Sequence, residues 1–195
     1  TLHEGENVIT VTAVDNSGNQ STDTLTVTVR PEQYALQVVN VSASADDGNV
    51  PSNTIDGDLS TRWSAESSGQ WIQYDLGATF DISQILIAYY VGDTRTSDFE
   101  IFVSNDASSW NSVFKGQSSG TTLQQESHPL SNAIGRFVRI VGYGNSSSDW
   151  NSITEVDIFG TAASVPDTAA PTVAIQSPTN ESSYETTTPS IRLTG

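Results

Sequence analysis

Apolar side chains recur at every second position in short runs of this sequence, and turn residues close each run. Gln70–Leu76, QWIQYDL, sets Trp71, Gln73 and Asp75 against Ile72, Tyr74 and Leu76. Asp98–Ser104, DFEIFVS, turns Phe99, Ile101 and Val103 to one side, and Gly135–Gly142, GRFVRIVG, sends Phe137 and Val141 one way and Arg136, Val138 and Ile140 the other. A period of two places alternate residues on opposite faces of a strand. Phe80–Val91 holds the apolar run ISQILIAYYV, of strand length, which reads as the centre of a sheet. Leu36–Val41, Thr121–Glu126 and Ile153–Phe159 supply further strands. Roughly eight strands over about 125 residues, with helix formers scarce, predict an all-β sandwich of the jelly-roll kind.

Two flanking pieces stand apart from that unit. Leu2–Val29 reads as two alternating strands joined by an Asp15–Asn19 turn carrying Gly18, a hairpin. Its GENVITVTAVDNSGN phrase resembles the last two strands of bacterial immunoglobulin-like repeats, whose earlier strands would lie before Thr1. Arg30–Tyr34 contains Pro31 and marks a boundary; Thr161–Pro171, TAASVPDTAAP, is a linker by composition. Thr172–Gly195 resembles the opening strands of a further immunoglobulin-like repeat. The expected organisation is therefore residues 1–30, end strands of one repeat; 34–160, the sandwich; 161–171, linker; and 172–195, start of another repeat.

Ser42–Ala65 is longer than an unstructured connection usually is unless something ties it down. Within it, Asn53–Ala65 reads NTIDGDLSTRWSA. Gly57 permits φ > 0, so the Asp56 and Asp58 side chains and the Thr61 oxygen can converge on one point. Converging oxygens suit Ca²⁺, which takes six to eight oxygen ligands at roughly 2.3–2.6 Å. A solvated Asx turn without an ion fits the same spacing. Trp63, directly after the turn, suggests a loop clamped onto the core, with its indole N–H seeking a partner.

Composition excludes other classes. There is no Cys and hence no disulfide framework, thiol chemistry or Cys-based zinc site. Lys plus Arg number 7 against 23 Asp plus Glu, a formal net charge of −16 that repels nucleic acid and anionic lipid. No apolar run is long enough to span a bilayer. His3 and His128 lie far apart and suggest neither a triad nor a zinc site. Asp15-Asn16-Ser17-Gly18 has its Gly misplaced for an EF-hand loop. The many carboxylates sit in turns, with no sign of the opposed pair that glycoside hydrolysis needs. No catalytic residue is assigned.

The phrases ASADDGNVPSNTIDGDLSTRWSAE (Ser44–Glu66), GQWIQYDLG (Gly69–Gly77), DFEIFVSND (Asp98–Asp106), GRFVRIVGYGN (Gly135–Asn145) and WNSITEVDIFG (Trp150–Gly160) together resemble the discoidin, or coagulation-factor type C, domains. Among these, the middle unit is similar to the family 32 carbohydrate-binding modules. The resemblance implies a β-jelly roll, galactose-binding-domain-like, with a structural Ca²⁺ where the early Asp-Gly loop meets the last strand. It implies ligands from the Asn53 carbonyl, the Asp56 carboxylate, Asp58, Thr61, the Thr154 carbonyl and the Glu155 carboxylate. It also places the sugar site on loops at one end of the sandwich.

Aromatic faces stack on the C–H faces of pyranose rings while amides, carboxylates and guanidinium groups choose the hydroxyl pattern. Two loops carry such residues: Tyr89–Arg95 and Tyr143–Asn151. The candidate ligand residues are Tyr90, Asp93, Arg95, Asn145 and Trp150. Arg95 could instead pair with Asp93 or Asp98, Asn145 could serve a turn, and Trp150 could pack under the calcium loop. Trp63, Trp71, Phe99 and Phe137 are expected in the core, and Arg62, Arg136 and Arg139 are expected to serve packing or ion pairs. The expected function is a non-catalytic module of a secreted, marine bacterial polysaccharide-degrading protein. The GDTRTSDFEIFVSND and VRIVGYGNSSSDWNSITEVDIFG phrases resemble modules attached to alginate lyases and agarases, so alginate leads, with agar, carrageenan and fucoidan next. The alternative is an adhesion or spacer module contacting a protein or a cell-surface glycan.

Overall fold

In the computed structural model, which describes residues 2–3, 5–29 and 33–163, the alternating runs are strands. β1 (Gly5–Val14) and β2 (Gln20–Val29) form an antiparallel hairpin in register from Gly5↔Val29 to Val14↔Gln20. Asp15 builds its turn: the carboxylate accepts the Ser17 and Asn19 amides at 2.8 and 2.9 Å, and Gly18 takes φ +85°. The side chains of Val8, Val11, Val14 and Leu25 are exposed. The expected repeat over 172–195 lies outside the described residues, as does nearly all of the linker.

Eight strands make the middle unit: β3 (Tyr34–Ala35), β4 (Asn40–Ala43), β5 (Trp63–Glu66), β6 (Gln70–Tyr89), β7 (Ser97–Ser104), β8 (Asn111–Gln117), β9 (Glu126–Asn145) and β10 (Trp150–Ala162). A 3-10 turn, Pro51–Thr54, sits in the long loop. Three strand assignments needed correction. Leu36–Val41 is not one strand, because the Leu36 amide bonds Ile158 O at 2.7 Å and the Val39 amide bonds Asp75 O at 2.8 Å, so the segment passes from β10 to β6. Thr121–Gln125 is irregular, and β9 begins at Glu126 and runs through Pro129, whose missing N–H hid the strand. The runs at Gln70–Leu76 and Phe80–Val91 are one strand.

The length of β6 and β9 creates two layers. The first half of β6 pairs with β4 and with residues 137–142 of β9, its second half with β10 and with residues 126–135 of β9. The register breaks between Asp75 and Phe80, where Gly77 takes φ +76° and the chain changes layer. β7 and β8 continue the first layer beyond β9; β3 and β5 pair with β10 in the second. Antiparallel strands that cross between two layers are what a jelly roll requires.

Between the layers lie Ile72, Tyr74, Ile82, Ile85, Ile87, Ile101, Val138, Ile140, Val156 and Ile158, all buried. Each such side chain contributes roughly 1.5–3 kcal/mol relative to exposure. Trp63 and Phe99 join them, and the Trp63 indole N–H donates to Ala45 O at 2.8 Å, pinning the start of the long loop. Tyr74 is fully buried, its hydroxyl 3.0 Å from Thr54 Oγ1 beneath the 3-10 turn. Trp71 and Phe137 are not in the core. With Ile72, Tyr74, Val138 and Ile140 facing inward, the period of two puts both aromatics on the outer face, half-buried.

Candidate functional site

The Asn53–Ala65 loop gathers oxygen atoms. Thr61 Oγ1 lies 2.8 Å from Asp56 Oδ2, 3.0 Å from Asp58 O and 3.2 Å from Asn53 O. A hydroxyl has one proton to give, so at least two of those three acceptors meet it without a donor. Across the cluster, the Gly57 amide donates to Glu155 Oε2 at 3.1 Å, which brings the β10 carboxylate against the loop. Burial raises the pKa of Glu155, opposed by the Gly57 amide, and the neighbouring Asp157, Asp56 and Asp58 raise it further. An oxygen-rich, donor-poor cluster of this kind fits a hard cation.

Among the described residues no group of three or more His, Cys, Asp or Glu side chains is placed to hold a metal. The donor set here is different: two carboxylates, a hydroxyl and backbone carbonyls. Both Asp side chains also cap amides of the loop, Asp56 Oδ1 accepting the Asp58 amide at 2.9 Å and Asp58 Oδ1 the Ser60 amide at 2.8 Å, while Asp58 O faces Thr61 Oγ1 at 3.0 Å. Thr154 sits at a bulge: Ile153 pairs with Tyr89 and Glu155 with Ala88, so Thr154 has no opposite residue. A bulge of this kind re-aims backbone groups.

Beside this loop, a second pocket of about 210 Å³ is lined by Asp47, Arg62, Ser64, Tyr90, Arg95, Trp150 and Ser152. Tyr90 follows the end of β6, where Val91 takes φ +56° and the Gly92 and Arg95 amides bond back to Tyr89 O and Val91 O at 3.0 and 3.3 Å. A side chain at Gly92 would collide with Thr122 O and Tyr89 O, so the tight turn requires glycine. The turn folds Arg95 back, its Nε donating to Tyr90 O at 3.2 Å, with Cζ 5.5 Å from the Tyr90 ring centroid. Arg62 approaches the same ring, Cζ at 4.2 Å, and its buried Nε has no hydrogen-bond partner. Neither guanidinium forms an ion pair with a carboxylate of the described residues. Burial, and the charge of Arg62 nearby, lower the pKa of Arg95, while Tyr90 acts in the opposite sense. Two guanidinium groups beside an aromatic ring are chemistry that suits a carboxylate or similar planar anion.

The pocket brings together three of the five sequence-predicted ligand residues, Tyr90, Arg95 and Trp150. Trp150, at the start of β10, forms a wall of the pocket. Asp93 lines a neighbouring cavity of about 470 Å³, walled by Leu59, Tyr90, Leu123 and Thr154, so Tyr90 separates the two. Asn145 is displaced from the ligand role. Its Nδ2 donates to Trp150 O at 2.7 Å and Ser148 Oγ at 3.1 Å, and its Oδ1 accepts the Ser147 and Ser148 amides at 2.9 and 3.1 Å. An amide with two donated and two accepted bonds has none left for a sugar. Arg62, which the sequence reading set aside as a packing or ion-pair residue, also lines this pocket, against the Tyr90 ring.

A sequence profile of the F5/8 type C domain matches residues 38–156. The chain is similar to a solved carbohydrate-binding module of family 32 from AlyQ in complex with 4,5-unsaturated mannuronic acid, with 51% identity, a TM-score of 0.63, and coverage of 64% of this chain and 97% of that one. A longer AlyQ structure, holding that module and alginate lyase domains, is 49% identical with a TM-score of 0.66, over 71% of this chain and 36% of that one. A pectin-binding carbohydrate-binding module is 32% identical, with a TM-score of 0.61, over 67% of this chain and 96% of that one. A polysaccharide lyase 8 family protein, HylA, of Enterococcus faecalis is 36% identical over 67 residues, which are 34% of this chain and 5% of that protein.

Proposed function

The chain belongs to the F5/8 type C domain family, and from that premise we propose that its Arg62–Tyr90–Arg95 pocket binds the carboxylate of a uronate residue in an acidic polysaccharide. The domain is a carbohydrate-binding module of the kind attached to polysaccharide-degrading proteins. One observation carries the finer reading: in a molecule with 23 acidic and 7 basic side chains, two guanidinium groups share a pocket and neither is in an ion pair, although the Asp47 carboxylate also lines the pocket and feels the Arg62 charge. A uronate supplies an ion-pair partner, and its ring supplies C–H faces for Tyr90 and Trp150. The solved relatives named for mannuronic acid and pectin, both uronates, support the same class.

Alginate is the first ligand to test, with carrageenan and fucoidan next because sulfate also pairs with guanidinium, and agarose last because it offers few anions. The module acts without catalysis, holding a secreted enzyme on its substrate by tethering. The marine bacterial source, the flanking immunoglobulin-like repeats and an extracellular address belong to the same proposal. No described helix is long and apolar enough to cross a membrane.

Asn53 O, the Asp56 carboxylate, Asp58 O, Thr61 Oγ1, Thr154 O and the Glu155 carboxylate would hold Ca²⁺. Bound there, the ion neutralises the clustered oxygens and ties the long loop to β10. Affinity electrophoresis in gels of alginate, carrageenan, fucoidan and agarose tests the ligand class. Retardation in alginate that Arg95→Ala weakens, without a change in Tm, is the expected result; mobility unchanged in every gel contradicts it.

A further inference from the structure

The outer face of the layer formed by β4, β6, β9, β7 and β8 carries a second concentration of aromatic and cationic side chains. One cross-strand row reads Gln73, Arg139, Phe102 and Ser112; the next reads Trp71, Val141, Glu100 and Lys115. Arg139 stands between two tryptophans, with Cζ 4.3 Å from the Trp71 ring centroid and 3.9 Å from that of Trp110. Its Nη2 donates to Gln73 Oε1 at 2.7 Å, and its buried Nε has no partner. The two other cations on this side are neutralised, Lys115 by Glu100 at 3.5 Å and Arg136 by Asp75 at 2.8 Å. Arg139 has no such carboxylate among the described residues.

Stacking on two rings fixes the plane of a guanidinium and leaves its edge to donate. Packing alone would be met by an aliphatic side chain, without burying part of a charge that no carboxylate balances. We propose that this face is a second polysaccharide-contact surface, on which an extended polyuronate chain crosses the strands and sets one carboxylate against Arg139. Strands about 4.8 Å apart give a flat path of roughly 15 Å over β6, β9, β7 and β8. Charge complementarity selects the occupant, since a neutral glycan leaves Arg139 unbalanced. The ligand class rests on that proposed for the loop pocket, whereas the place does not. One polymer touching both surfaces gains affinity through tethering that a single sugar residue cannot gain.

The full 195-residue chain and its R62A/R95A, R139Q and W110A variants are compared in alginate gels, with dextran gels as the neutral control. Indole N–H signals of Trp71 and Trp110 are followed by NMR during alginate titration of R62A/R95A. The expected result is residual retardation of R62A/R95A that adding R139Q removes, at least threefold weaker retention for R139Q alone, and shifts in both indole signals. W110A weakens retention in the same way and serves where R139Q lowers Tm. Retention of both R139Q and W110A equal to wild type, with unmoved indole signals, overturns the proposal. A dimer in sedimentation runs that R139Q dissolves assigns the face to self-association and overturns it too. Wild-type retention of R62A/R95A together with loss in R139Q keeps the sheet face and rejects the loop pocket.

Discussion

Tyr90 organises the candidate site because its ring is approached by two guanidinium groups and its carbonyl holds one of them. A charge-assisted hydrogen bond contributes roughly 1.5–3 kcal/mol, so Arg62→Ala or Arg95→Ala should each weaken uronate binding about 10- to 100-fold in titration calorimetry. A loss below threefold for both would place the carboxylate elsewhere. The shared pocket of Arg95, Tyr90 and Trp150 could be found from sequence because Tyr90 and Arg95 stand in a loop that joins strands and Trp150 opens the strand after another. Arg62 could not, since its partner Tyr90 lies 28 positions away and nothing local signals the contact. Asn145 misled for the opposite reason: the amide that suits a sugar also suits its own loop.

His128 offers a pH test at the same scale. Burial beside Phe99, Phe114 and Tyr89 pushes the imidazole below its ordinary 6.5, with Glu126 acting in the opposite direction, and Nε2 lies 3.2 Å from Tyr89 Oη. A depressed folded pKa means that the unfolded chain binds the proton more readily. Its contribution is therefore present above pH 6.5 and is lost as pH falls through the lower folded value. Denaturation of wild type between pH 7 and 5 should show a decline that His128→Gln flattens; parallel curves would contradict the assignment.

At the scale of elements, the period-two runs located the strands, and the inner residues of β6, β7 and β9 follow them. What sequence could not supply was where a strand changes layer or which half of a long strand pairs with what. Pro129 concealed the first third of β9, and aromatic size drew Trp71 and Phe137 into the expected core although the alternation itself puts them outside. Close approach of β9 and β10 is sharpest at Gly142, where a Cβ would strike the Asn151 amide that donates to Ser67 O at 2.9 Å and accepts the Gly144 amide at 2.8 Å. Gly142→Ala should cost roughly 1–3 kcal/mol in urea denaturation through overpacking; an unchanged midpoint would mean that the strands separate freely there. The bulge at Thr154 joins the same strand to the oxygen cluster. An ion held there binds the folded state alone, so EDTA should lower Tm, added Ca²⁺ should restore it, and Asp56→Ala should remove the difference. A Tm indifferent to EDTA and Ca²⁺ would leave the loop a solvated turn.

The whole molecule sets acidic charge against an acidic ligand. With a net charge of −16, long-range repulsion opposes capture of a polyuronate, and short-range pairing at a few unneutralised arginines must outweigh it. Arg62, Arg95 and Arg139 are the described arginines outside any ion pair, and they occupy the two surfaces assigned to ligand. Core and site both lie within 33–163, so that fragment should keep the Tm and the alginate retention of the full chain; loss of either would tie the hairpin or the remaining segment to the module. The most direct measurement is titration of an alginate oligosaccharide and its carboxyl-reduced, neutral counterpart into wild type and R62A/R95A. A preference of at least tenfold for the acid in wild type, sharply reduced in R62A/R95A, is predicted; equal binding of acid and neutral sugar by wild type would contradict the carboxylate receptor.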